Sequence, residues 1–341
     1  MRPLLDVFVV HKQSIATDQD DFMELKRIED AYAACVDEIS KVFVGQLELV
    51  EGVLIALFSE GSVLIEGVPG LGKTLLVNTL SRVVSCDFKR VQFTPDLMPS
   101  DLTGHNVYSL KDQQFHFTPG PVFTNLLLAD EVNRSPPKTQ SALLEVMEEK
   151  QVTVDGTSRA VERPFLVLAT QNPLEHEGTY PLPEAQVDRF MFKLLIDYPP
   201  PADERAILAH YAEGRNPHRL DGFDLKPVMS PAMIGEVQQA AGRVIIEDKV
   251  VGYIVDIIDR TRNWHAVSVG ASPRGGVNML VAARTMALCR GRDFVTPDDV
   301  KEVAPWVLRH RVLLRPDVEI EGTGVDNVIA EILDNIEVPR S

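Results

Sequence analysis

Residues 62–74 read SVLIEGVPGLGKT, with Gly67, four further residues, then Gly72, Lys73 and Thr74. Phosphate oxygens carry concentrated negative charge. Free backbone N–H groups at a helix start can surround them, and glycines lack the Cβ that would block the approach. A lysine at this spacing reaches β and γ phosphates, and the adjoining hydroxyl can join the shell of a magnesium ion. Gly67, Pro69, Gly70, Leu71, Gly72, Lys73, Thr74 and Leu75 are therefore the candidate nucleotide contacts. The bland alternative is a glycine-rich turn. It fits less well, because an apolar strand candidate precedes the motif and the helical pattern KTLLVNTLSRVV follows it.

A second cluster follows. Asp130 and Glu131 come directly after Leu126, Leu127, Leu128 and Ala129. A parallel strand ending there delivers both carboxylates to the C-terminal edge of a sheet, beside the phosphate loop. Asp130 and Thr74 are the candidate metal residues, and Glu131 the candidate group that polarises the attacking water. Read alone, the pair is equally a solvated strand end. Asn172 follows another apolar strand. If that strand lies between the other two, its amide flanks the γ phosphate; an ordinary Asn-Pro turn is the competing reading. Arg134, Arg189 and Arg274 could each set two donors against phosphate oxygens, yet exposed arginines are common.

These residues need elements to hold them. Residues 22–42 and 47–59 have helical periodicity. Strand candidates at 62–66, 89–93, 125–129 and 164–170 alternate with helical segments, including 138–148. That βα rhythm predicts an α/β core with a mostly parallel sheet covered by helices. Two inserts interrupt it. Residues 105–118 predict a hairpin turning near Lys111 and Asp112, and 151–162 one turning at Asp155-Gly156. Beyond the stiff stretch DYPPP at 197–201 the pattern is helical: 202–213, 231–240, 247–261, 275–290 and 297–309. The expected division is an N-terminal extension over 1–41, an α/β core over 42–198, a helical lid over 199–311 and a C-terminal extension over 312–341.

Composition agrees with a globular protein of about two domains: 341 residues, 45% hydrophobic and 25% charged. Fifty acidic against 34 basic residues give a net charge of -16, which repels nucleic acid on average. Three cysteines without a CxxC pair suit a reducing compartment, so the expected location is cytoplasmic. The eight histidines form no HExxH motif or Cys/His cluster, which argues against structural zinc. The apolar run from Leu4 to Val10 is broken by Asp6 and followed by acids rather than a cleavage pattern, so it reads as a frayed terminus. No stretch reaches the length of a membrane span, so no stable membrane insertion is expected.

The combined pattern resembles the MoxR family of AAA+ ATPases. The resemblance is carried by VFVGQ at 42–46, GVPGLGKT at 67–74, LLLADEVNRSPPKTQSALLEVMEE at 126–149, ATQNP at 169–173, EAQVDRF at 184–190 and GASPRG at 270–275. It implies an AAA+ P-loop core followed by a helical lid, with ATP and Mg2+ as cofactors. It places Val44, Gly45 and Gln46 beside the adenine, Lys73 and Thr74 in Walker A, and Asp130 and Glu131 in Walker B. Asn172 is like the sensor-1 residue. Arg189 is like the arginine finger offered to a neighbouring subunit, and Arg274 like the sensor-2 arginine, acting in cis or in trans. Arg134 is implied at the subunit interface. The resemblance further implies homo-oligomeric rings, commonly hexamers, that remodel or activate protein clients, sometimes metalloenzymes. A separate partner with a von Willebrand factor A domain is also implied.

Two other readings stay open on sequence. A nucleic-acid motor of the wider class needs a cationic track on its hairpins, but the inserts offer only Lys111 and Arg159. A non-hydrolysing scaffold is disfavoured by the presence of both acids and the polar sensor. GTPase function lacks an NKxD base-recognition sequence.

Overall fold

The computed structural model describes residues 19–173, 178–216 and 219–339. The N-terminal apolar run Leu4 to Val10 lies outside them. In chain order the elements begin with α1 (Gln19–Ser40), α2 (Leu47–Phe58), β1 (Val63–Glu66), α3 (Lys73–Val83) and β2 (Phe88–Gln92). Next come α4 (Pro99–Thr103), β3 (Gly104–Ser109), β4 (Gln114–Pro119), β5 (Leu126–Asp130) and α5 (Pro137–Glu149). Then β6 (Gln151–Val154), β7 (Thr157–Ala160), β8 (Leu166–Gln171), α6 (Glu184–Val187) and β9 (Phe192–Leu195) complete the α/β part. The helical part holds α7 (Pro201–Ala212), α8 (Pro231–Arg243), α9 (Asp248–Asn263), β10 (Val267–Val269), α10 (Pro273–Cys289), α11 (Pro297–Leu308), β11 (Leu313–Leu314), α12 (Pro316–Ile320) and α13 (Val325–Asp334).

The central sheet runs β2-β5-β8-β1-β9, and every pairing in it is parallel. Strand β8 therefore sits between the strand that feeds the phosphate loop and the strand that ends in the acids. Side chains of a strand point alternately to opposite faces, and the apolar strand residues divide accordingly. Val63, Ile65, Leu126, Leu128, Leu166 and Leu168 join the core shared with α1, α2, α3 and the lid. Leu64, Leu127, Ala129, Val167 and Ala169 join the core under α5. Burial on both faces is why these strands read as continuous apolar runs.

Both inserts are antiparallel hairpins: β3 pairs with β4, and β6 with β7 around Asp155-Gly156. Helix α1 buries Ile28, Tyr32, Cys35 and Ile39 in the main core, and α13 buries Val328, Ile329, Ile332 and Leu333 there. Among the described residues, no helix is long and apolar enough to cross a membrane. Edge strand β9 is absent from the sequence-derived elements, because FKLL has no strong turn before it and reads with the preceding EAQVDRF segment.

Candidate active site

The sheet and helix order puts the phosphate loop at the mouth of a cavity of about 750 Å³. Gly70 and Gly72 have φ of 88° and 84°, a region in which a Cβ is strained. These two positive-φ residues turn the chain off β1 into α3, so the first turn of α3 faces the cavity with unpaired amides. Gly67 is required for a different reason: a Cβ there would lie 2.3 Å from the Ile196 carbonyl oxygen. Lys73 reaches back to donate to the Gly67 carbonyl at 2.6 Å. Burial holds its ammonium below the ordinary value, against the opposing pull of Asp130, Glu131 and Glu66. A partly desolvated cation beside a loop of open amides is a setting that favours a polyphosphate.

The acids meet the loop across β8. Thr170, near the end of that strand, donates its hydroxyl to Asp130 Oδ1 at 2.5 Å and accepts the Glu131 amide at 2.9 Å. This one side chain fixes both acids. Glu131 occupies the left-handed region at φ 58°, a conformation that costs energy for a non-glycine residue. Its carboxylate takes a hydrogen bond from Gln92 Nε2 at 2.6 Å and an ion pair from Arg134 Nε at 3.1 Å. Asp130 in turn pairs with Arg90, whose Nη2 lies 2.7 Å from Oδ2. Asn172 is buried and lines the same cavity.

The opposite wall is apolar. Val42, Phe43 and Val44 come from the turn before α2, Tyr198 from the segment after β9, and Ile207, Leu208 and Tyr211 from α7. Tyr198 and Leu208 are 71% and 67% exposed in the single chain, so this wall offers ring and aliphatic surface to a planar base. Gln46, also left-handed, donates its side-chain amide to the Asp197 carbonyl. Gly45 lies so close to α7 that a Cβ would come 2.6 Å from Asp203 Oδ2. The VGQ turn is thus clamped between the Asp197 backbone and α7, with Val44 and Gln46 on the cavity and Gly45 behind them.

Of the residues singled out from sequence, Val44, Gln46, Pro69, Gly70, Leu71, Gly72, Lys73, Thr74, Leu75, Asp130, Glu131 and Asn172 converge on this one cavity. Arg134 reaches it through Glu131. Arg189 and Arg274 do not line it. They meet each other's partner elsewhere: Arg189 Nη1 lies 3.1 Å from Glu148 Oε2, and Arg274 Nη2 2.6 Å from Glu148 Oε1. Arg90, Gln92 and Thr170 were not singled out from sequence. Register would have found Gln92, since it stands directly opposite Asp130.

Residues 62–192 match the family described as "ATPase family associated with various cellular activities (AAA)", and residues 259–332 match an AAA lid domain. Chaperone MoxR1 of Mycobacterium tuberculosis is 45% identical over 314 residues, 89% of this chain and 81% of the relative. Protein MoxR of Methylorubrum extorquens is 31% identical over 337 residues, 91% of this chain and 96% of the relative. The chain belongs to the MoxR family of AAA+ ATPases. YeaC of Bacillus subtilis, itself uncharacterized, is 45% identical over 89% of this chain and 93% of its own length. A crystal structure of a Cytophaga hutchinsonii protein superposes with a TM-score of 0.84 at 40% identity, covering 93% of this chain and 98% of that one. The AAA+ architecture, a parallel P-loop core followed by a helical lid, is common to this MoxR-family chain and those matches. The lid match runs to residue 332 and so takes in most of α13.

Proposed function

We propose that this chain is a magnesium-dependent ATPase that assembles as a homo-oligomeric ring, a hexamer by resemblance, and remodels or activates protein clients. The observation that carries the proposal is the convergence of the phosphate loop, both acids and Asn172 on one cavity with an apolar base-sized wall. Bound magnesium would supply charge neutralisation for the phosphate chain of ATP as the terminal phosphoanhydride is cleaved. The loop amides and Lys73 hold the β and γ phosphates. The Thr74 hydroxyl and Asp130 hold the cation. Glu131 polarises the attacking water, and Asn172 orients it from the β8 side. Val44, Gln46, Tyr198 and Leu208 seat the adenine.

Glu131→Gln tests the reading. ATP binding stays within about two-fold, while phosphate release falls at least about 100-fold, because only transition-state assistance is removed. Phosphate release at the parent rate overturns the role given to Glu131.

Arg189 and Arg274 are assigned to the nucleotide of a neighbouring subunit. Their absence from the chain's own cavity supports this, as does their shared parking on one carboxylate. For Arg274, open between cis and trans on sequence, the geometry favours trans.

The hairpins favour a protein client over nucleic acid. Tyr108, Leu110 and Phe115 are exposed on β3, the turn and β4, and Tyr108 packs edge-on against Phe115 at 5.2 Å. Arg159 is spent inside the inserts, its guanidinium 4.0 Å from the Phe117 ring centre. An apolar tip suits a polypeptide, and a track for phosphates needs free cations. A relative named as a chaperone adds support. By the family resemblance, the client includes metalloenzymes, the separate partner carries a von Willebrand factor A domain, and the location is cytoplasmic. Client-stimulated ATPase without salt-sensitive DNA binding is the expected result.

A further inference from the structure

Behind Arg189 and Arg274 lies a side chain that the ATPase reading does not use. Arg311 follows α11 and is 6% exposed. Its Nε lies 2.7 Å from Asp188 Oδ1. Its Nη2 donates to the Asp188 carbonyl at 2.7 Å and to the Phe190 carbonyl at 2.6 Å. Those two carbonyls bracket Arg189 in the chain. Its Nη1 donates to the Val307 carbonyl of α11 at 2.5 Å and to the Met191 carbonyl, just before β9, at 3.2 Å, so the knot joins the two parts.

The knot also reaches Arg274. The Asp188 carboxylate accepts from Ser272 Oγ, at 3.1 Å to Oδ2 and 3.2 Å to Oδ1. Ser272 is the residue from which α10 starts, two positions before Arg274. Gly275 gives the Arg311 stem its space, since a Cβ there would come 3.2 Å from Arg311 Cδ. One guanidinium and one carboxylate thus tie the backbone of the first arginine to the helix start of the second. A buried guanidinium with a planar fork fixes several oxygens at once, which an ammonium cannot do.

We propose that Arg311, with Asp188, is a positioning residue for hydrolysis: it locks Arg189 and Arg274 into one rigid two-arginine unit aimed at the neighbouring subunit's nucleotide. The proposal rests on the reading that both arginines act in trans. Arg311 touches no nucleotide. It acts through Arg189 and Arg274, so its loss lowers kcat while leaving ATP affinity in place.

The test uses the full chain assembled with ATP. Arg311→Lys keeps the charge and loses the fork; kcat is expected to fall at least about ten-fold with KM for ATP within about two-fold. Ser272→Ala, which leaves no buried charge unpaired, is the second variant, expected to lower kcat about three-fold or more. Each is then mixed with Lys73→Ala subunits, which carry a dead site and an intact arginine unit. Recovery of phosphate release above the sum of the separate components supports the proposal, because a defect in a subunit's own site would not be rescued by its neighbour. An Arg189→Ala and Lys73→Ala mixture is the control. If the control recovers and neither variant does, or if both variants turn over at the parent rate, Arg311 has no positioning role. If the control itself fails to recover, the neighbour-directed reading falls, and this proposal with it. Should Arg311→Lys fail to assemble, Ser272→Ala decides by the same criteria.

Discussion

The cavity and the arginine face of this protein are built in opposite ways. At the cavity, the reacting side chains are placed mainly by backbone: loop amides, two left-handed glycines, a left-handed Glu131 and strand ends set by the parallel register. At the arginine face, two half-exposed side chains share Glu148, and their order comes from a buried side-chain knot behind them. The groups that line the cavity all come from one chain. A face of cations with only a local counter-ion is complete when another molecule presents an anion. On the proposed reading, the contrast separates what each chain holds from what it lends.

The largest expected effect lies on the cavity side. Lys73→Ala should remove the cation that rests on the loop, with ATP binding weakened at least about ten-fold and phosphate release lost by about 1000-fold. Nucleotide titration and phosphate release measure both. Arg189→Ala should leave binding within about two-fold and cut kcat about 100-fold. Equal loss of binding in the two variants would erase the contrast between the regions.

The third effect concerns stability alone. Helix α11, which leads to Arg311, begins with Thr296 and the buried Asp299, whose carboxylate is gripped by Arg292 at 2.6 and 2.7 Å. Burial pushes the Asp299 carboxyl up, but hydrogen bonds from Arg292 and Thr296 outweigh it and hold it below its ordinary value. A depressed carboxyl stabilises the fold fully above its unfolded value near 3.8, and that stability is lost as pH falls through the lower folded value. Asp299→Asn should therefore cost about 2 kcal/mol at neutral pH, the worth of hydrogen bonds to a charged group, and flatten the acid limb of the stability profile. Denaturant melts at several pH values measure this. A kcat defect rescued by mixing, as at Arg311, would contradict a purely structural role.

The smallest effect is at Gln92. Its amide holds the Glu131 carboxylate, so Gln92→Ala should free the base and change basal turnover by about two- to five-fold without altering affinity. A change in affinity with constant kcat would mean that Gln92 contacts nucleotide instead.

Much of the cavity was legible because its residues are contiguous. SVLIEGVPGLGKT and LLLADE carry strand, turn and chemistry in unbroken runs, so motif and element identify each other. The strand order was only a condition on sequence, since Asn172 could equally sit in an Asn-Pro turn; the structure meets it by placing β8 between β1 and β5. What stayed hidden is set by long-range pairing. Thr170 and Gln92 have ordinary strand composition and gain meaning only from the register that places them against Asp130 and Glu131. Arg311 lies 123 residues from Asp188, and nothing local marks it apart from other arginines. Arg189 and Arg274 were visible as candidates, but their common site on Glu148 was not.

One tie between the inserts has a mechanical outcome. Asn106 Nδ2, on the first hairpin, donates to Asp155 Oδ2 at the turn of the second, and Arg159 of the second lies on the Phe117 ring of the first. Asn106 and Phe117 face each other across the first hairpin, while Asp155 and Arg159 sit at the turn and along a strand of the second, so one rung of the first grips a length of the second. Any stroke that tilts one prong carries the other with it, so a client would feel a single stiff fork.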